Sequence, residues 1–256
     1  IVHPDVRKML LTAKAYAEGG RAMAMYGAMI AEKAHHHPDD KVRKDSEEIL
    51  GLLTPIVKAF LTDNGFAATN HCMQVFGGHG YIHETGAEQF VRDARINMIY
   101  EGTNTVQSLD LLGRKILQNQ GATLKKFGKQ IEALIAEEGV NEKMAEFINP
   151  LATLADQMTK FTTEIGCQGF GNADEEGGAG GAYLRVAGHL VFGYFFARMA
   201  SVALKKIGEG STDPFYTAKL QTARFYFARL FPETASLMRT ARSGVANLLD
   251  TDAALA

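Results

Sequence analysis

What most constrains this chain is its lack of strand periodicity. No apolar/polar alternation persists beyond about four residues, and the long segments are filled by Ala, Leu, Met, Lys and Glu, which favour helices. Such a chain can bury a core only by laying apolar helix faces against one another. The pattern therefore predicts an all-α fold: an antiparallel helical bundle with short links, followed by a second helical region.

From Pro4, a favourable first-turn residue, Val6, Met9, Leu10, Ala13, Ala17, Met25 and Met29 recur at helical spacing until HHHPDD, so the first helix is expected over 4–35. The His35–His37 tract reads as a helix end whose polar side chains serve free carbonyls, not as a metal tract. A second stretch over 41–64 contains Pro55, which is expected either to kink it or to open a new helix capped by Thr54. Further helices are expected over 67–76, 86–97 and 104–118.

After LQNQGATL the texture shifts, dividing the chain into residues 1–119 and 120–256. Helices are expected near 123–138, 141–167, 179–208, 213–230 and 232–249, with GCQGFGNADEEGGAGG as a Gly-rich acidic linker. That linker follows no strand and carries no Lys-Ser/Thr, so it supports neither a dinucleotide loop nor a P-loop. The aromatic stretches VFGYFF and FYTAKLQTARFYFARLF read as core or subunit-interface faces.

A net charge of −2 over 256 residues gives no field that would gather nucleic acid or anionic lipid. Cys72 and Cys167 are isolated, without CxxC or Cys/His ligand spacing, which argues against a disulfide scaffold and structural zinc and fits a reducing cytoplasm. The most apolar run, VAGHLVFGYFFARMA, is interrupted by His189 and Arg198, so no transmembrane segment is expected. The opening IVHPDV has neither an initiator Met nor a signal-peptide pattern and reads as part of a longer chain.

Two segments break the helical rule: QVFGGHGY (74–81) and RDARINMIYEGTN (92–104). Such local rule-breaking is where function concentrates. Gly77, Gly78 and Gly80 allow close backbone approach to a ligand, while Gln74 and Thr103 supply neutral hydrogen-bonding groups suited to a phosphate-bearing cofactor. Glu101, beside Ile99 and Tyr100, is expected to be partly desolvated, which strengthens a carboxylate as a proton acceptor. His79 and His83 have i,i+4 spacing, but the glycines between and before them spoil the helix that metal ligation at that spacing needs, so no metal is expected.

Together with the preceding ATN, these two motifs resemble the C-terminal helical domain of the acyl-CoA dehydrogenases, over roughly residues 1–118. The second half, with GGAYLRVAGHLVFGYFFARMA, resembles the extra C-terminal region of longer bacterial members, including the 3-methylmercaptopropionyl-CoA dehydrogenase type. The resemblance implies FAD as cofactor, acyl-CoA as substrate, an electron-transfer flavoprotein as electron acceptor and a homodimer or homotetramer. It implies that Glu101 removes the α-proton of the thioester, and that Tyr100 and Gly102 line the thioester end of the acyl pocket. Gln74, Gly77 and Gly78 match the stretch that contacts FAD across a subunit interface, and Thr103 matches an FAD contact in the same subunit as the base. Thr105 departs from those members that carry Gln there, and Arg92–Asp93 matches a structural pair, expected to be a helix salt bridge.

The family's N-terminal helical domain and flavin-holding β-domain are not found in this sequence. Two other readings therefore stand beside the dehydrogenase: a non-catalytic helical oligomerisation or docking fragment, and an acyl-CoA oxidase that passes electrons to oxygen.

Overall fold

The computed structural model describes residues 2–255, with side-chain detail for all of these except 252 and 253. The outer limits Ile1 and Ala256 of the two expected regions lie outside the described residues. Every regular element among the described residues is helical.

Helix α1 (Pro4–His36) starts at its proline and carries Asp5 in its first turn and Lys33 in its last, charges that complement the helix dipole at both ends. The carbonyl of His37 is served from the next helix, by Arg43 Nη1 at 2.6 Å. Helix α2 (Asp40–Val75) opens on Asp39, whose carboxylate accepts from Lys41 N at 2.7 Å. It continues unbroken through buried Pro55, where neither a stop nor a new N-terminus is found. Thr54 does not cap a helix there; its hydroxyl donates back to Leu50 O at 2.7 Å. The lost backbone bond at Pro55 is outweighed by packing, because Leu52, Leu53, Ile56, Ala59 and Phe60 around it are all essentially fully buried.

A tight turn holding α3 (Gly78–Tyr81) leads to α4 (Ala87–Ile96) and then α5 (Asn104–Leu109), which continues as a π-helical stretch, Asp110–Leu117. Next come α6 (Ala122–Glu138), α7 (Ala145–Gly169), α8 (Ala173–Gly208), α9 (Pro214–Phe225) with a π-helical extension over Tyr226–Leu230, and α10 (Glu233–Ala241). The short α11 (Ala246–Leu249) and α12 (Asp252–Leu255) complete the chain.

Two further expectations about the helices need correction. The segment read as a Gly-rich linker is mostly helical: Asn172 caps α8 by accepting from Asp174 N at 3.1 Å, and Asp174, Glu175 and Glu176 occupy its positive end. Its glycines are in part contact surfaces, since a Cβ on Gly180 would lie 3.1 Å from Ser108 Oγ and one on Gly169 2.7 Å from Glu176 Cγ. The single helix expected over 232–249 is divided, because Gly244 takes a left-handed φ of 73° and ends the run.

Helix α8 is the axis of the fold, packed against α1, α2, α5, α7, α9 and α10. By length and composition it could cross a membrane, yet 78% of its apolar window is buried inside this protein. Residues from Val186 to Ala197 are buried without exception, which is why the helix is apolar on all sides. One continuous core draws on both sides of residue 120, with Phe60 of α2 in edge contact with Phe192 of α8 at 4.8 Å between ring centroids.

Within that core lies a polar knot. His189, fully buried, places Nε2 3.0 Å from Glu233 Oε1 and Nδ1 2.9 Å from the Tyr226 hydroxyl. A carboxylate only accepts, so Nε2 carries the proton and Nδ1 accepts from Tyr226. Arg185 Nε pairs with the same Glu233 oxygen. Burial pushes the His189 imidazole below its ordinary 6.5. For Glu233, burial opposes ionisation, but the bonds from His189 and Arg185 outweigh it and hold the carboxyl well below its ordinary 4.5.

Two outcomes follow for stability. In both groups the folded-state pKa is depressed, so the unfolded chain takes up protons that the folded chain refuses. Denaturation midpoints are therefore expected to fall as pH drops below 6.5 and to fall further below 4.5; a midpoint that rises on acidification through this range would contradict the neutral buried histidine. At Gly188 a Cβ would lie 2.4 Å from the fully buried Phe60 ring. Gly188→Ala is expected to destabilise, since an overpacking cost of about 1–3 kcal/mol exceeds the gain of up to about 1 kcal/mol in helix propensity. An unchanged urea midpoint would show that α2 and α8 separate freely.

Candidate active site

The two motifs form two separate turns. The first ends α2: Gly77 has φ 62° and ψ −147°, a conformation open essentially only to glycine. Gly80 is equally constrained, because a Cβ there would lie 2.3 Å from Met73 O. Gly78 faces open space with an ordinary φ, so nothing within the chain demands a glycine there. Gln74 is exposed and its amide has no partner among the described residues. His83 pairs with Glu88 at 2.7 Å, and no group of three His, Cys, Asp or Glu that could hold a metal ion gathers among the described residues.

The second turn links α4 to α5 and holds Tyr100, Glu101, Gly102 and Thr103 together. Asn104 N donates to Met98 O at 3.2 Å, closing a loop with Glu101 at its midpoint. Glu101 has φ 51°, one of only two non-glycine residues with positive φ among the described residues. A left-handed glutamate is strained, and such strain persists only where surrounding structure imposes it. Gly102 follows at φ 86°, with the Gln107 side chain lying over it. Thr103 caps α5, its hydroxyl accepting from Val106 N at 3.3 Å, which leaves the hydroxyl proton available to another acceptor. The N–H groups of Glu101, Gly102 and Thr103 have no acceptor among the described residues.

The expected shelter of Glu101 is not provided by this chain. The residue is exposed, and Ile99 and Tyr100 are each 48% exposed. The loop projects outward, so its apolar neighbours face away from the core. The Tyr100 hydroxyl donates to Asn97 Oδ1 at 2.6 Å, which fixes the ring to the end of α4. Arg92 and Asp93 form no ion pair among the described residues; Asp93 accepts from Gln89 at 2.7 Å instead. Adjacent residues on a helix point in different directions, so that pair was poorly placed to meet.

The two turns are not brought together within one chain. The second is fastened to α2 at Lys58–Asp63, while Gln74 lies 11 residues further along that helix, a rise of about 16 Å at 1.5 Å per residue. No hydrogen bond or ion pair joins them among the described residues. The fastening itself went unseen in the sequence: Asn104 Nδ2 donates to Asp63 Oδ1 at 2.5 Å, and Lys58 Nζ donates to Asn104 Oδ1 at 2.9 Å. The available signal was the polar set Lys58, Thr62 and Asp63 within the mostly apolar stretch 49–68 of that helix.

Comparison with known proteins places these turns in a lineage. Residues 1–117 match the family described as acyl-CoA dehydrogenase, C-terminal domain, and residues 127–252 match that described as acetyl-CoA dehydrogenase C-terminal like. The chain is 34% identical to 3-methylmercaptopropionyl-CoA dehydrogenase of Ruegeria pomeroyi over 92% of its own length and 40% of that protein's. It is 29% identical to the broad-specificity linear acyl-CoA dehydrogenase FadE5 of Mycobacterium tuberculosis, over 98% of this chain and 42% of that one. The chain thus spans about two fifths of the length of these relatives. The crystal structure of Caenorhabditis elegans ACDH-11 in complex with C11-CoA shares the fold, with a TM-score of 0.60 at 18% identity, over 84% of this chain and 34% of that one. The chain belongs to the acyl-CoA dehydrogenase family and carries its C-terminal helical region.

Proposed function

We propose that the protein carrying this chain oxidises the Cα–Cβ bond of an acyl-CoA thioester, with FAD as cofactor and Glu101 as the base that takes the α-proton. The observation that carries this reading is the strained, left-handed Glu101 at the midpoint of a pinned loop, in a family of acyl-CoA dehydrogenases.

An α-proton beside a thioester is weakly acidic, so a carboxylate can remove it only if charge developing on the thioester oxygen is stabilised. The unpaired N–H of Glu101 is suited to that task, while the carboxylate accepts the proton. Tyr100 and Gly102 flank the base and would line the thioester end of the pocket. When bound, FAD supplies the acceptor for the β-hydride. Thr103, with a free hydroxyl proton, would hold it from the same chain, and Gln74, Gly77 and Gly78 from a second copy. The open space at Gly78 and the unpartnered Gln74 amide fit such contacts, and the separation of the two turns fits their coming from different copies.

Exposed apolar side chains at Phe76, Tyr81, Phe90, Ile96, Tyr100 and Val106 support covering of this face by the rest of the protein and by a second copy in a homodimer or homotetramer. That covering would exclude water from Glu101. Electrons would leave through an electron-transfer flavoprotein, and two exposed free cysteines suit a cytoplasmic setting.

In the intact enzyme, Glu101→Gln is expected to keep its flavin while solvent exchange of the substrate α-proton falls about 100- to 10,000-fold; normal exchange would reassign the base. Acyl-CoA is expected to bleach the flavin bands of the unsubstituted enzyme anaerobically, and turnover in air is expected to release no peroxide. Peroxide would indicate an oxidase, and a colourless protein that still oligomerises would indicate a docking module.

A further inference from the structure

We propose that Asn104 is the positioning residue that aims Glu101, seated on α2 by Lys58, Thr62 and Asp63 and backed by Arg185 from the second helical region. The inference rests on the reading of Glu101 as the base and adds how its geometry is set.

Asn104 is bound at both ends of its own residue. Its backbone N–H closes the loop onto Met98 O at 3.2 Å. Its side chain spends all its hydrogen-bonding capacity on one helix: Nδ2 donates to Asp63 Oδ1 at 2.5 Å and lies 3.1 Å from Thr62 Oγ1 and 3.3 Å from Ala59 O. Oδ1 accepts from Lys58 Nζ at 2.9 Å and lies 3.2 Å from Thr62 Oγ1. An amide with both ends engaged holds one orientation, and the loop hangs from it. Since Glu101 is exposed and makes no side-chain hydrogen bond, nothing on its own side chain fixes where its carboxylate points. The loop base does this instead.

The seat is in turn fixed from the second region. Arg185 Nη1 of α8 reaches Asn64 Oδ1 at 3.3 Å, its Nε pairs with Glu233, and its guanidinium lies 5.5 Å from the centre of the Phe60 ring. Phe60, Asp63 and Asn64 belong to the same turn of α2 that holds Asn104. A chain of contacts thus runs from the buried polar knot through α2 to the loop.

A purely structural asparagine would change stability or flavin content. A positioning residue changes the rate of proton removal alone. In the intact enzyme with FAD bound, Asn104→Ala is expected to lower kcat and α-proton exchange about 10- to 100-fold, with KM for acyl-CoA and flavin content unchanged. Asp63→Asn, which keeps an acceptor for Nδ2, should stay within about 3-fold of the unsubstituted enzyme, and Lys58→Met, which removes the partly buried donor to Oδ1, should fall about 3- to 10-fold. In a Glu101→Gln background, Asn104→Ala should produce no further loss, because both act through one group. Normal exchange in both Asn104→Ala and Lys58→Met, or an additive loss in the double variant, would overturn the inference. If Asn104→Ala does not fold, Lys58→Met alone decides by the same criterion. Normal exchange in Glu101→Gln sinks the assignment of the base instead, so the two failures are distinct.

Discussion

The close approach of α8 to α2 is the constraint on which the rest depends. Gly188 leaves no room for even a methyl group against Phe60, and through this contact the second helical region is locked onto the first. Overlap at this crossing lets Arg185 reach Asn64 and lets His189 sit between Phe60 and Tyr226. A residue with a side chain at position 188 would push the helices apart and draw the guanidinium away from α2. Packing at the axis and polar contacts near the Glu101 loop are therefore one problem in this fold.

The polar knot carries a cost that hydrophobic packing would not. A buried imidazole and a half-buried carboxylate are acceptable because both ring nitrogens of His189 are paired and Glu233 Oε1 meets both His189 Nε2 and Arg185 Nε. Its position suggests why it is retained: it orients Arg185, whose other end holds α2. Glu101 shows the complementary economy. The glutamate side chain is left unsupported at its tip, and the loop backbone, closed at Met98 and Asn104, does the aiming.

Much of this was legible in the sequence. The helical periodicity from Pro4 located α1 to within a residue, and the glycine cluster after Phe76 marked the end of α2. Several failures were cases of local chemistry overridden by tertiary contact, whereas the break at Gly244 was a local signal that was missed. Pro55 and the glycines of Ala173–Gly181 look like breakers when read alone; Pro55 is held helical by the packing around it, and the glycine segment by the Asn172 cap and by contacts at Gly178 and Gly180. The two turns of the candidate site were visible as departures from helical composition. The positive φ of Glu101, inside the loop closed between Met98 and Asn104, was not, nor was the seat of Asn104, which joins residues 41 to 46 positions apart. Nor could sequence reveal that Glu101 stands exposed in the single chain, because shelter depends on which surfaces cover the loop.

The most direct measurement is a crystal structure of the intact protein with FAD and a non-reacting acyl-CoA analogue bound. The account predicts a Glu101 carboxylate oxygen within about 3–3.5 Å of the thioester α-carbon, with the loop still closed at Met98 and Asn104. A Glu101 side chain left in solvent, with a different carboxylate at the α-carbon, would contradict it.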